Sequence, residues 1–315
     1  MRAAWLTGAV RASKVRANQH AAQCAGASGA SALDSRKARR KIAEMIHPSA
    51  CVSADARVGA GVVIGASAIV DAGAEIGDGC VLHAHSIVRG GSVLAERVEV
   101  HPFCVVGGPP QMLRFDESLR SGVRVGARTI LREGVTLNRS TRPDGWTVIG
   151  ADCFLMANSH VAHDCALADR VVLANGALLA GHCEVGAGSF LGGGAAVHQF
   201  TRIGENVMVG GLARITKDLP HFLLVAERDE VSGLNVVGLR RRGCNRAVVV
   251  ELKTLFRRVY GAPNVRAEAA AALAEGAATT DEGRLFLAFF AAGKRGVARP
   301  GRAPEKDATQ DEEGA

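Results

Sequence analysis

Every sixth residue from Ile46 to Val106 is aliphatic, and nothing else in the chain narrows its possible folds as much. If aliphatic side chains fill roughly a third of positions, such a run arises by chance with a probability on the order of 10⁻⁵. The beat resumes at Val125, Leu131 and Leu137, and runs again from Ile149 to Ile215. Four residues after each anchor of the first run the side chain is small or short, as at Ala56, Ala68, Ala74, Cys80, Ser86 and Cys104. A period of six fits neither a helix nor simple alternation. It marks a parallel β-helix in which three hexapeptides wrap one triangular coil. The anchors point into the prism, and the small slot lets the chain bend at a corner without overfilling the interior. The anchors make roughly nine coils, about 40 Å of prism at ~4.8 Å per coil. The expected fold class is mainly β, a left-handed parallel β-helix followed by a small α-helical C-terminal domain.

Four segments follow from where the beat starts, breaks and stops. Residues 1–44 are Ala/Ser/Arg-rich with no periodic apolar face and no secretory apolar core, so a disordered or mis-annotated leader is expected, with Met45 as the natural start. The prism is expected over 45–218. "GGPPQMLRFDESLRSG" (107–122) and "NRSTRPDGWT" (138–147) carry no anchors and should loop out from it, the kind of position where sites are built on a rigid scaffold. A helical region is expected over 219–295. Its first helix lies behind Asn245 as N-cap, with Val248, Leu252, Leu255 and Val259 inward. A second, "VRAEAAAALAEG", is closed by Gly276. A third follows a Thr279/Glu282 capping box and turns Phe286, Phe289 and Phe290 inward. Residues 296–315 read as a disordered tail.

Composition closes off several classes of function. Residues 1–44 hold nine Lys/Arg against Asp34 and Glu44, which accounts for the whole net charge of +7. The remaining residues carry equal numbers of each sign, so a nucleic-acid surface is not expected on the body of the protein. No apolar run approaches the ~20 residues of a membrane span. Cys80, Cys104, Cys153, Cys165 and Cys183 all fall in the small inward slot, and there is no C-x-x-C pair. They read as compact core residues in a reducing, cytoplasmic setting.

The polar aromatic residues gather in the upper prism. His160 precedes the anchor Val161 and His163 follows it by two, so both are candidates for the outside of the prism. At 18 residues per coil, His182 lies one coil above His163, and His198 with Gln199 about one coil higher again. From spacing alone this strip is a catalytic surface, a metal site or a set of ordinary surface residues.

The order "HVAHDC", "LAGH", "AVHQF" and "GLNVVGLRRRG" resembles the UDP-N-acetylglucosamine O-acyltransferases, the acyl-carrier-protein-dependent enzymes of the first step of lipid A synthesis, over roughly residues 45–295. The resemblance implies a homotrimer with active sites between neighbouring prisms. It implies transfer of a (R)-3-hydroxyacyl group from acyl carrier protein to the 3-position of UDP-N-acetylglucosamine, with no metal and no cofactor besides the thioester co-substrate. His163 would be the general base, supported by Asp164, and the Gly181 N–H would be the oxyanion donor. His160, His182, His198 and Gln199 match sugar- and diphosphate-contacting positions. Asn235, Arg241 and Arg242 match a nucleotide-binding stretch, in which "RRR" is read at a helix start. Arg114 replaces a lysine of the protruding loop, and Gly211 matches the position that limits acyl length. At Gly211 a glycine demanded by a tight corner is the rival reading.

One departure is visible. Met112 stands where the family has an acid that holds the sugar, which opens the acceptor atom to be a 3-hydroxyl or a 3-amino group. Three other readings compete. An N-acyltransferase of the same pathway uses the same prism but normally has a uridine-binding domain ahead of it, for which 44 polar residues are too few. A trimeric prism-type carbonic anhydrase would hold zinc with three histidines. A non-catalytic scaffold would have no use for the arginines.

Overall fold

The structure is a computed structural model that describes residues 45–301, so the expectation for residues 1–44 lies outside it, as does that for the tail 296–315 beyond residue 301. Within that expected tail Val297 and Ala298 are buried and Arg299–Pro300 joins a sheet, so the ordered part extends past 295. Short strands, most of two residues, stack into three sheets. The first runs from Cys51–Val52 to Arg214–Ile215, the second from Arg57–Val58 to Arg202–Ile203, and the third from Val63–Ile64 to Met208–Val209. Pairing within the prism is parallel and rises one coil at a time: Val161 faces Leu179, which faces Val197, which faces Ile215. All four are buried, as the six-residue beat requires. The fold is the left-handed parallel β-helix with short C-terminal helices that the repeat predicts.

The two loops can be read from the ladder itself. Val106 pairs with Leu137, a step of 31 residues where 18 is normal, so the first loop inserts thirteen residues into one coil. Val125 pairs with Ile149, a step of 24, so the second inserts six. Both leave the prism at the edge between the first and second sheets, called here the first edge. The second edge joins the second and third sheets, and the third edge joins the third sheet to the first.

The core closes differently at its two ends. Ile46, Val52 and Val58 are only partly buried, because among the described residues no coil lies beneath them. At the other end Leu219, Phe222 and Leu223 fill the last coil. The third sheet continues there through Leu223–Ala226, an antiparallel strand Glu230–Leu234, and Arg299–Pro300.

Four helices cap this end: α1 (Val236–Arg241), α2 (Arg246–Gly261), α3 (Val265–Ala274) and α4 (Asp281–Ala288). Asn245 caps α2, accepting from the Val248 N–H. The buried stripe of α2 begins at Val249 rather than Val248. The N-cap of α4 is Thr280, which accepts from Gly283, and not Thr279, whose hydroxyl is taken by Glu251. The carboxylate of Glu251 receives both threonines, so a tertiary contact overrides the local capping box. Phe286, Phe289 and Phe290 are buried. The arginine run lies at the C-terminal end of α1, not at a helix start, where positive charge complements the helix dipole.

Candidate active site

One carboxylate organises the first edge. Asp164 occupies the corner after the strand His160–Val161 with φ +61°, and its side chain is fully buried. The second loop folds over it. Ser140 Oγ donates to Oδ1 at 2.5 Å and Arg142 Nε at 2.9 Å, while Thr141 donates to Oδ2 through its hydroxyl (2.5 Å) and its N–H (3.2 Å). The Asp164 N–H is held by Thr147 Oγ1 at 2.8 Å. Burial pushes this carboxyl up, but hydrogen bonds from Ser140, Thr141 and His163 outweigh it and hold it well below the usual carboxylate range.

His163 Nδ1 lies 3.0 Å from Asp164 Oδ2. Successive side chains of an extended strand point apart, but the left-handed φ of Asp164 turns the chain so that these two meet. An ionised carboxylate only accepts hydrogen bonds, so in the neutral imidazole Nδ1 carries the proton and Nε2 the lone pair. The ring lies on Gly181: a Cβ there would sit 2.5 Å from His163 Cε1 and 2.7 Å from Nε2. Among the described residues no hydrogen bond takes up the Gly181 N–H, which leaves a donor beside the imidazole.

His182, one coil up, meets His163 edge-on with ring centroids 5.0 Å apart. Its other face stacks on Phe200 at 4.5 Å, so the third ring of this column is Phe200, and His198 stands apart from it. Burial lowers the His182 pKa; Asp164 opposes the shift, and His163 and Arg142 add to it. His160 faces outward on the first sheet with Nδ1 2.7 Å from Thr136 Oγ1, and burial followed by the charge of His163 lowers its pKa. His198 and Gln199 are exposed at the same edge, with His198 Nδ1 3.2 Å from the Gln199 carbonyl. Arg114 and Met112 are exposed on the first loop, between strands Val105–Gly108 and Gly122–Val125. Arg139 braces that loop, donating to the carbonyls of Leu119 (2.6 Å) and Glu117 (2.7 Å) with its guanidinium over Phe115.

The remaining sequence-predicted residues are elsewhere in the chain. Asn235 caps α1 by accepting from the Gly238 N–H at 2.9 Å and donates to the Asn206 carbonyl at 3.0 Å. Arg242 pairs with Glu205 at 3.0 Å, and Arg241 is exposed beside it. Glu205 and Asn206 form a second-edge corner, so these three residues and His163 lie on different edges of one prism. Gly211 is an exposed corner residue of the third edge. The positive φ of that corner belongs to Leu212, and a Cβ on Gly211 would meet only Gly193, at 3.4 Å or beyond. The backbone therefore does not demand glycine at 211.

Ser140, Thr141, Arg142, Thr147, Thr136 and Arg139 were not foreseen as parts of the site. For all but Thr136, which lies on the strand Thr136–Asn138 beside His160, the signal was the break in the beat at 138–147, where a short loop concentrates donors opposite a corner acid. His163, Asp164 and His182 bring ligand atoms within 4.8 Å of one another, the spacing of a metal cluster. Both Asp164 oxygens, however, already accept from Ser140, Thr141 and Arg142, which is the arrangement of an orienting carboxylate.

Comparison with known proteins points to one family. A family described as Udp N-acetylglucosamine O-acyltransferase, Domain 2, matches residues 218–298, and a bacterial transferase hexapeptide family matches 147–181. An acyl-[acyl-carrier-protein]–UDP-N-acetylglucosamine O-acyltransferase of Agrobacterium fabrum is 39% identical over 201 residues, covering 62% of this chain and 74% of that protein. The solved structure of a UDP-N-acetylglucosamine acyltransferase from Campylobacter jejuni aligns over 81% of this chain and 99% of its own, at 33% identity and a TM-score of 0.75. That of the UDP-N-acetylglucosamine O-acyltransferase from Moraxella catarrhalis covers 81% and 100%, at 31% identity and a TM-score of 0.77. With a common prism, a shared C-terminal part and this level of identity, the chain belongs to the UDP-N-acetylglucosamine O-acyltransferase family.

Proposed function

We propose that the enzyme transfers a (R)-3-hydroxyacyl group from acyl carrier protein to the 3-hydroxyl of UDP-N-acetylglucosamine, opening lipid A biosynthesis in the cytoplasm. The observation that carries this reading is the contact of His163 Nδ1, 3.0 Å from the carboxylate of the buried Asp164, which favours the tautomer with its proton on Nδ1. Nε2 takes the proton of the sugar hydroxyl as its oxygen attacks the thioester carbonyl. Negative charge develops on the carbonyl oxygen, where the Gly181 N–H can donate. The intermediate expels the carrier's thiolate, which recovers the proton from the imidazolium, so the cycle balances without a cofactor. The Asp164 charge stabilises that imidazolium, and general-base help of this kind contributes typically ~10²–10⁴-fold.

The residues that hold the substrates would come from more than one subunit. Asn235, Arg241 and Arg242 lie on the second edge and cannot join His163 within one prism, which supports a homotrimer in which a neighbouring chain brings them to the nucleotide. His160, His182, His198, Gln199 and Arg114 line or flank the first edge and would meet the sugar and diphosphate. Outward on the first sheet above His160 are Leu178, Ala180 and Ala196, an apolar strip that suits an acyl chain running toward Gly211. No helix among the described residues is long and apolar enough to cross a membrane.

His163→Ala tests the reading with UDP-N-acetylglucosamine, its 3-amino analogue and 3-hydroxyacyl carrier proteins of graded length. Turnover should fall at least ~100-fold while the oligomer persists; near-normal turnover removes His163 from the base role. A bulky residue in place of Gly211 should shift preference to shorter acyl chains.

A further inference from the structure

The third edge carries a second group of imidazoles and carboxylates, separated from the first edge by the width of the first sheet. His83 and His101 occupy the same position in successive coils, and their rings stack with centroids 4.4 Å apart and planes 28° from parallel. Glu99 stands outward two residues before His101, and Glu133 lies at the corner one coil above it. Glu133 Oε1 is 3.3 Å from His101 Nδ1, and its carboxylate is gripped by Arg132 at 3.0 and 3.1 Å. On the other side of the same ring, Glu99 Oε2 is 3.7 Å from Nε2.

We infer that His83, Glu99 and His101 form a binding site for a divalent transition metal, with zinc as the fitting ion and Glu133 as the carboxylate behind His101. Ligating histidines almost always donate their other ring N–H to a carboxylate or carbonyl, which sets the tautomer and ring orientation. Glu133, itself fixed by Arg132, is placed to do this at Nδ1. The Nε2 lone pair then faces the Glu99 carboxylate across a gap too long for a hydrogen bond. In the neutral ring two electron-rich atoms oppose each other there, and a cation bound to both relieves the repulsion. One ligand atom from each of the three residues lies within 4.8 Å of the others. Zinc bonds of about 2.0–2.2 Å bring tetrahedral donors to roughly 3.4 Å, a closure within reach of the half-exposed Glu99 side chain. Two imidazoles and one carboxylate leave a fourth position for water. The site does not depend on the acyl-transfer reading, because it shares no residue with the first edge.

The test is equilibrium dialysis of the metal-stripped full chain against zinc, followed by elemental analysis. One zinc per chain is expected in the wild type. His83→Ala and His101→Ala should each weaken binding at least ~100-fold, and Glu133→Gln by about 10–100-fold. His163→Ala should keep the zinc at unchanged affinity, and circular dichroism verifies that each variant folds. Failure to take up zinc at micromolar concentrations overturns the site. Zinc retained by the His83→Ala/His101→Ala double variant, or lost with His163→Ala, overturns it equally.

Discussion

The first and second edges of this prism are made from the same hexapeptide corner, yet the first-edge acid Asp164 is handled in the opposite way to the acids of the second edge. On the second edge Asp152 pairs with Arg128 at 2.6 Å, both side chains more than two-fifths exposed, and Asp78 and Asp169 accept the N–H groups of Ala60 and Ala151. Such pairs lie in high dielectric and contribute little. On the first edge the corner acid Asp164 is sealed from solvent and receives protons from five groups. The corner is not what differs. A six-residue insertion in the preceding coil lays Ser140, Thr141 and Arg142 over the acid, which turns a surface carboxylate into a fixed charge beside an imidazole. A repeat protein can thus acquire a site by lengthening one turn and leaving its ladder intact.

The widest separation between the edges should come from replacing their acids. Asp164→Asn substitutes an amide for the ionised acceptor of His163, so the imidazolium formed during the reaction loses its counter-charge. Steady-state acyl transfer should fall by roughly 10²–10⁴-fold in kcat. Asp152→Asn should leave both kcat and the thermal midpoint as they are. Equal losses from the two variants would mean that the buried network does nothing special for the histidine.

Glycines sharpen the contrast at a smaller scale. A Cβ on Gly181 would collide with the His163 ring, a side chain that can swing away; on Gly150, a second-edge corner, it would meet the Ala168 carbonyl carbon at 2.5 Å, which cannot. Gly181→Ala should therefore fold normally and lose about 10²-fold in turnover, since small misplacements of a reacting group cost that much. Gly150→Ala should keep its chemistry and lose about 1–3 kcal/mol of stability, measured by denaturant unfolding. An inactive Gly150→Ala, or an unstable but active Gly181→Ala, would reverse the assignment.

How much of this could be read beforehand follows the length scale of each interaction. The prism was legible because its core is one-dimensional: Val161, Leu179 and Val197 repeat in sequence as they stack in space. The two loops were legible as silence in the beat. Asp164 was legible as the partner of His163, but its four donors from the second loop were not, since Ser140, Thr141 and Arg142 reach it across more than twenty positions. At the top of the column His163–His182–Phe200 the expected ring, His198, falls two residues short, because 18 residues beyond His182 is Phe200. In the helical region, where contacts follow no period, local rules slipped by one residue at Val249 and Thr280. That Asn235 and Arg242 sit on another edge from His163 depends on which of three sheets each residue touches, and six-residue counting alone does not carry a chain past the end of the prism.

The smallest effect concerns an imidazole on the quieter edge. His221 stands at the last second-edge corner, buried against Phe289, with Nδ1 accepting the Glu205 N–H at 2.8 Å. Burial, with Arg202 and Arg242 adding to it, pushes its pKa down from the usual 6.5 to about 3. The folded state therefore binds fewer protons than the unfolded state between those values, and stability is complete above pH 6.5 and drains as pH falls through that window. The slope is at most about 1.4 kcal/mol per pH unit from this group. Chemical unfolding followed by a signal from the C-terminal helices should show it between pH 6.5 and 5, and His221→Gln should flatten it. The first edge should add nothing to that slope through Asp164, whose carboxyl is already ionised well below this range. A slope unchanged in His221→Gln but abolished in Asp164→Asn would exchange the roles of the two edges, making the active-site carboxylate the acid-sensitive element of the fold.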